Sequence, residues 1–236
     1  GQAGAKSVEM AFRDLNDAGG PQGCKLVADT RDSQSQGTVA VDAATQLVQL
    51  KKVPVVIGGI ISSVSIPILT SVTGPSKVVQ VSPASSSPTL TTMGKTNGMF
   101  FRTITSDALQ GTAAAKYALD QGFKKIAIIH VNNDFGVNMM NEFATAYKAL
   151  GGEIVSTVPY NEKQADYASE ATAAMKGKPD GLYLIATPVD GATEQPRFRQ
   201  ERGREISQRG IWHLLRHEPD GFDRVLQCQL QGLLQH

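Results

Sequence analysis

The strongest constraint on this chain is an alternation. Short apolar runs stand at 25–30 ("KLVADT"), 53–59 ("VPVVIGG"), 77–82 ("KVVQVS"), 124–131 ("KKIAIIHV"), 153–160 ("EIVSTVPY") and 180–187 ("DGLYLIAT"). Stretches of helical periodicity separate them. Val8, Ala11, Phe12 and Leu15 recur at helical spacing before the glycines of "DAGG". Further helices are predicted over 38–50, from 62 on ("SSVSIPILTSV"), and over 107–121, 134–150 and 167–175. Apolar strands alternating with helices argue for parallel sheets covered on both faces. The predicted fold class is therefore α/β, with two lobes of parallel sheet flanked by helices. The lobes meet near 101–105, giving a first lobe at 1–102 and the first part of a second at 103–193. A lobe of this kind opens on its central strand, yet the first helix has none before it, so the first lobe is expected to lack its opening strand.

Composition narrows the function classes. Of 236 residues, 41% are hydrophobic and 19% charged, with net charge +1, which is globular composition. The near-neutral charge supplies no basic surplus for phosphates, so nucleic acid is not an expected partner. No apolar run approaches the roughly 20 residues that span a bilayer. The two cysteines, Cys24 and Cys228, lack the paired spacing of a zinc site or redox dithiol.

Residue usage changes abruptly at 194. Residues 1–193 hold 13 Lys and 3 Arg, whereas 194–236 hold no Lys, 7 Arg, 7 Gln and 3 of the 4 His. This atypical tail has two readings. Phe222, Val225, Leu226, Leu230 and Leu233 could form one face of an amphipathic helix. Alternatively, the tail is translated from a shifted reading frame, which we favour because such a shift changes residue usage at a single point.

Catalytic chemistry finds little support. A nucleophilic serine needs a base within hydrogen-bond reach. The only histidine before the tail is His130, and no G-x-S-x-G surrounds any serine. A Ser-dependent hydrolase would need His130 beside one of the serines; otherwise it is a strand-end histidine. Neither phosphate-loop glycine pattern is present, no cofactor is expected, and His213 with His217 at i,i+4 falls short of a metal site.

The hydroxyls are more informative. Ser62, Ser63 and Ser65 follow one predicted strand, and Ser82, Ser85, Ser86 and Ser87 follow the next. In open parallel sheets, ligands bind beyond the carboxyl ends of the strands, where helix N-termini supply unpaired N–H groups. Hydroxyls there can donate to a carboxylate and accept from an ammonium group. The same residues also suit helix capping: Ser62 or Ser63 on one helix, Ser87 before Pro88 on another.

The succession "GAKSVEMAFRDLNDAGG", "VVIGGIISSVSIPI", "VSPASSSPTLT", "FFRTITSDALQGTAAAKYA", "KKIAIIHVNNDFGVNMMNEF" and "PDGLYLIATPVDGA" resembles the type I periplasmic solute-binding proteins of branched-chain amino acid ABC transporters. The resemblance is collinear from Gly1 to about Ala192 and does not reach the tail. It implies a periplasmic, non-enzymatic protein whose two lobes close over an amino acid or a related organic acid or amide and deliver it to an ABC permease. A sensory domain of the same architecture is the alternative. It further implies that Ser62, Ser63, Ala84, Ser85 and Ser86 hold the ligand's polar end, with Phe135 and Thr187 lining the second lobe. Thr187 stands where leucine-binding relatives carry an aromatic. An aromatic after the opening strand and an acidic partner for the ammonium would fall outside 1–193, so a chain of this extent should carry only part of a ligand site, expose apolar sheet edges, and bind weakly or aggregate.

The frame-shift reading has a direct check. Translating the DNA that encodes 194–236 in its other two frames should restore the helix–strand alternation in one of them; its absence from both would make the tail genuine.

Overall fold

The computed structural model describes residues 2–187 and Asp190. The tail, with His213, His217 and its amphipathic stripe, lies outside the described residues. By internal contacts the chain divides into two units, Gly1–Gln110 with Asn133–Met139, and Gly111–Asn132 with the residues from Met140 on.

In the first unit, three short strands form a parallel sheet in the order β1-β2-β3: β1 (Val55–Ile57), β2 (Val79–Ser82) and β3 (Phe100–Arg102). The helices are α1 (Gln2–Asp17), α2 (Gly37–Thr45), α3 (Ser62–Ile68) and α4 (Pro88–Asn97). Both α2 and α3 continue into a π-helical turn, at Gln46–Leu50 and Leu69–Thr73. In α3, Pro67 lacks the N–H that would bond the Ser63 carbonyl, and the wider turn follows two residues later. Ala40 and Ala44 of α2 meet Val56 of β1 and Val64 and Ile68 of α3 in one apolar cluster, while Leu69, Leu90 and Phe100 form another. Burying side chains of this size contributes roughly 1.5–3 kcal/mol each.

The segment 25–30 departs from expectation. It forms no regular element and pairs with no strand among the described residues, and Val27 is 79% exposed. Its tie is instead a side chain: Asn16 Oδ1 accepts from the Leu26 amide at 2.7 Å, and Asn16 Nδ2 donates to the Leu26 carbonyl at 2.9 Å. A strand requires a partner ladder as well as apolar residues, and β1, whose one described partner is β2, is an edge strand. That edge also qualifies the expectation of a buried strand at 53–59, since Val56 is buried while Val55 and Ile57 are 38% and 46% exposed. The helix predicted at the N-terminus forms, yet none of its residues is buried.

The second unit is built on a longer parallel sheet ordered β5-β4-β6: β4 (Lys125–Val131) lies between β5 (Glu153–Tyr160) and β6 (Gly181–Ile185). Its helices are α5 (Asp107–Asp120), α6 (Asp134–Ala149) and α7 (Ala168–Met175), with α5 beginning in the first unit and α6 crossing the division between the two. The central strand has six consecutive buried residues, as expected where both faces are covered. The Asp180 carboxylate accepts from the Lys124 and Lys125 amides, fixing where β4 begins. Tyr147 donates to the Phe123 carbonyl at 2.8 Å, and burial pushes its phenol up to about 12.

Two predictions follow from this packing. A Cβ on Gly111 would lie 2.7 Å from the Phe143 amide nitrogen, so Gly111→Ala should push α5 from α6 and destabilise the chain by about 1–3 kcal/mol. An unchanged denaturation midpoint would contradict that contact. The second concerns His130, buried at the end of β4 with Nδ1 donating to the Val131 carbonyl at 3.1 Å. Burial lowers its pKa, and the backbone hydrogen bond opposes this only in part. Stability from the neutral imidazole is therefore fully present above its ordinary value of about 6.5 and is lost as pH falls through the lowered folded-state value. The midpoint should drop between pH 7.5 and 5, and His130→Gln should flatten that drop; parallel pH profiles would show that His130 does not cause it.

Candidate functional site

The hydroxyl cluster lies where the first unit's strands β1 and β2 end. After β1 the chain turns through Gly58 and Gly59, and a Cβ on Gly59 would sit 2.6 Å from Val64 Cγ1. That close approach brings the Gly59 carbonyl under three hydroxyls: Ser82 donates to it at 2.6 Å, and Ser65 and Ser85 reach it at 3.1 and 3.2 Å. Ser65 Oγ and Ser85 Oγ are 2.7 Å apart. One of their two protons lies between them, leaving the other for Gly59, so the carbonyl's two acceptor sites are filled. Ser82 Oγ also accepts from the Ala84 and Ser85 amides at 3.3 and 2.9 Å, folding 82–85 into a tight turn.

The seven residues expected at a site fall into distinct situations. Ser62 is the first residue of α3, whose N-cap is Ile61 with no side-chain cap, so neither Ser62 nor Ser63 caps that helix. Ser62 instead crosses to the neighbouring loop, where its Oγ accepts from the Ser87 amide at 3.2 Å. Ser63 and Ala84 are half-buried. Ser85 is fully buried and its hydroxyl is tied as described. Ser86 is 4% exposed, and neither its hydroxyl nor its amide has a hydrogen-bond partner among the described residues. Ser87 is the N-cap of α4, accepting from the Thr89 amide, with Pro88 in the first turn. The structure thus joins Ser62, Ala84 and Ser85 in one hydrogen-bonded assembly by way of Ser82, Ser87 and Arg102, with Ser86 tied to its surroundings only through its carbonyl, which accepts from the Asp107 amide. Phe135 is half-buried in the first turn of α6.

Thr187 belongs to the second unit, just beyond β6. Its hydroxyl donates to Asp190 Oδ2 at 2.7 Å, while Asp190 Oδ1 accepts from Tyr167 at 3.0 Å and from the Lys163 amide at 3.4 Å. Asp190 is 5% exposed. With its proton committed, Thr187 has only acceptor capacity left for a ligand. Sequence reasoning missed Asp190 and Tyr167 because their partnership joins residues far apart in the chain.

Arg102 was also missed, although a cation in the apolar run "MFFRT" was a visible signal. From the end of β3, its Nη1 donates to the Ser85 and Ser87 carbonyls at 3.2 and 2.9 Å, and Nη2 donates to Thr91 Oγ1. Burial lowers its pKa, and the Asp107 carboxylate opposes that shift. The nearest bond of His130 runs to its own strand, and no group of three or more His, Cys, Asp or Glu among the described residues could hold a metal.

Known proteins share this plan. The family described as periplasmic binding protein matches residues 1–200. Leu/Ile/Val-binding protein homolog 1 of Brucella abortus is 31% identical over 166 residues, covering 70% of this chain and 43% of the relative. The chemotactic signal transduction system substrate-binding protein BasB of Halobacterium salinarum is 24% identical over 188 residues, covering 78% and 45%. Among solved structures, a leucine-binding protein of Thermotoga maritima superposes with a TM-score of 0.73 at 25% identity, covering 79% of this chain and 53% of that one. The chain spans about half the length of the curated relatives it matches. A family match over most of the chain, together with helix-covered parallel sheets in both units, establishes that this chain belongs to the periplasmic binding proteins, as a type I member related to the Leu/Ile/Val-binding proteins.

Proposed function

We propose that the protein captures an amino acid or similar small organic solute outside the cytoplasm and presents it to an ABC permease. The observation that carries this reading is the state of the hydroxyls after β2. Ser65, Ser82, Ser85 and Ser87 hold the loop together, whereas Ser86 keeps both a hydroxyl and an amide without a partner among the described residues. Ser62, Ser63, Ala84 and Ser86 would receive the polar end of the ligand, and Ser85 would support them from beneath. Phe135, which groups by contacts with the first unit, and Thr187 of the second would line the remainder of the site, Thr187 offering an acceptor to a ligand donor. No bond is made or broken; ligand favours the closed form by its differential affinity.

The relatives support this reading by their names, which give Leu, Ile and Val as the solutes of one and a leucine-binding role to another. A second reading, a receptor lobe pair whose occupied form is read by a signalling partner, is favoured by the similarity to a chemotactic binding protein. Both share the capture step and no catalysis. They separate by partner: transport requires that the loaded protein stimulate uptake by a permease in vesicles, whereas signalling does not.

Capture itself is testable by calorimetry. Titration with a panel of α-amino acids, their amides and small organic acids should give saturable heat with at least one member. Ser86→Ala should weaken that binding by roughly 0.5–1.5 kcal/mol, or more if the partner is charged, while changing the unfolding free energy by no more than about 0.5 kcal/mol. A monodisperse sample that binds no member of the panel, or a Ser86→Ala protein of unchanged affinity, would count against the assignment.

A further inference from the structure

The reading of the Ser86 loop as a ligand seat leaves open why that loop would prefer one chemical group. The backbone supplies an answer. Three successive carbonyls, those of Ser85, Ser86 and Ser87, all have donors: Arg102 Nη1 serves the first and third at 3.2 and 2.9 Å, and the Asp107 amide serves the second at 2.9 Å. The Leu90 amide also reaches the Ser87 carbonyl at 3.2 Å. Of the three amides, that of Ser85 donates to Ser82 Oγ and that of Ser87 to Ser62 Oγ. What remains is the Ser86 N–H and hydroxyl. The Ser85 carbonyl and the Ser86 N–H share one peptide plane and point opposite ways, so a cation gripping that carbonyl turns the Ser86 N–H to the other side, while the Ser87 carbonyl precedes Pro88, which has no N–H to turn.

We infer that Arg102 is a positioning residue for this loop: its guanidinium holds the 85 and 87 carbonyls back, so that the loop presents hydrogen-bond donors and selects the carboxylate end of the ligand. Two features suit Arg to the task. Its planar fork bridges two carbonyls and Thr91 Oγ1 at once, which a lysine ammonium on a flexible stem does not reproduce. Its charge also lies behind the Ser86 N–H and hydroxyl, where it favours an anion over a neutral group. The neighbouring Asp107 carboxylate moderates this charge.

The inference rests on the ligand-seat reading, and two measurements let each fail alone. The first is amide hydrogen exchange of the unliganded chain carrying Arg102→Met or Arg102→Lys. The Ser87 and Asp107 amides should exchange faster by on the order of tenfold, the scale of a lost hydrogen bond to a charged group, while β4 amides keep their protection. Should Arg102→Met not fold, Thr91→Val, which removes only the outer anchor, should show the same pattern at smaller size. Unchanged exchange at Ser87 and Asp107 overturns the clamp. The second is titration with L-leucine and L-leucinamide, which differ in the carboxylate. The unaltered protein should prefer L-leucine, and Arg102→Lys should bring the ratio of the two affinities toward one. A ratio unchanged by Arg102→Lys overturns the role in selection even if the loop has loosened. An unaltered protein that binds neither probe overturns the ligand seat, and the exchange result still decides the clamp.

Discussion

One backbone oxygen organises the first unit. The Gly59 carbonyl, at the bend between β1 and α3, is where hydroxyls from α3, from the end of β2 and from the following loop converge. The interaction is possible because residue 59 has no side chain, since a Cβ there would meet Val64 and Ser65. Buried hydroxyls and carbonyls are costly when unpaired. Here each satisfies the others, and the ends of two neighbouring strands are fixed to one another by short side chains. The turn at 82–85 and the entry to α4 follow from that junction.

Unit two stands on a different basis. Between Lys125 and His130 its central strand is apolar and buried on both faces, so its stability comes chiefly from burial. Its polar devices sit at strand ends: Asp180 at the amino end of β4, and the Asp190 group beyond β6. Sheet interiors set the frame in both units, while the chemistry lies where strands stop, as expected for parallel sheets.

The alternation of apolar runs and helices was legible because it depends on local residue order. Five of the six expected strands form. The sixth, 25–30, shows the limit: periodicity records which residues would suit a strand, but the ladder depends on a neighbour, and the Leu26 amide found Asn16 instead. The hydroxyl clusters were legible as clusters. Which serine holds the loop and which remains available was not, because Ser65 with Ser85 and Ser62 with Ser87 are pairs 20 and 25 residues apart. Asp190, 23 residues from Tyr167, escaped for the same reason. The family resemblance supplied what spacing could not, and both the family and the fold it implied hold.

The anchoring of the loop after β2 also bears on the thermodynamics of capture. The hydroxyls of Ser65, Ser82 and Ser85 and the peptides they hold are already fixed in the unliganded chain, so a solute seated there would have little beyond the Ser86 hydroxyl left to order at that end. On the proposed reading, a seat prepared in this way would recognise one functional group and be indifferent to what is attached beyond it. Differences among solutes must then be judged elsewhere in the protein, and its repertoire could broaden or narrow without disturbing the serines.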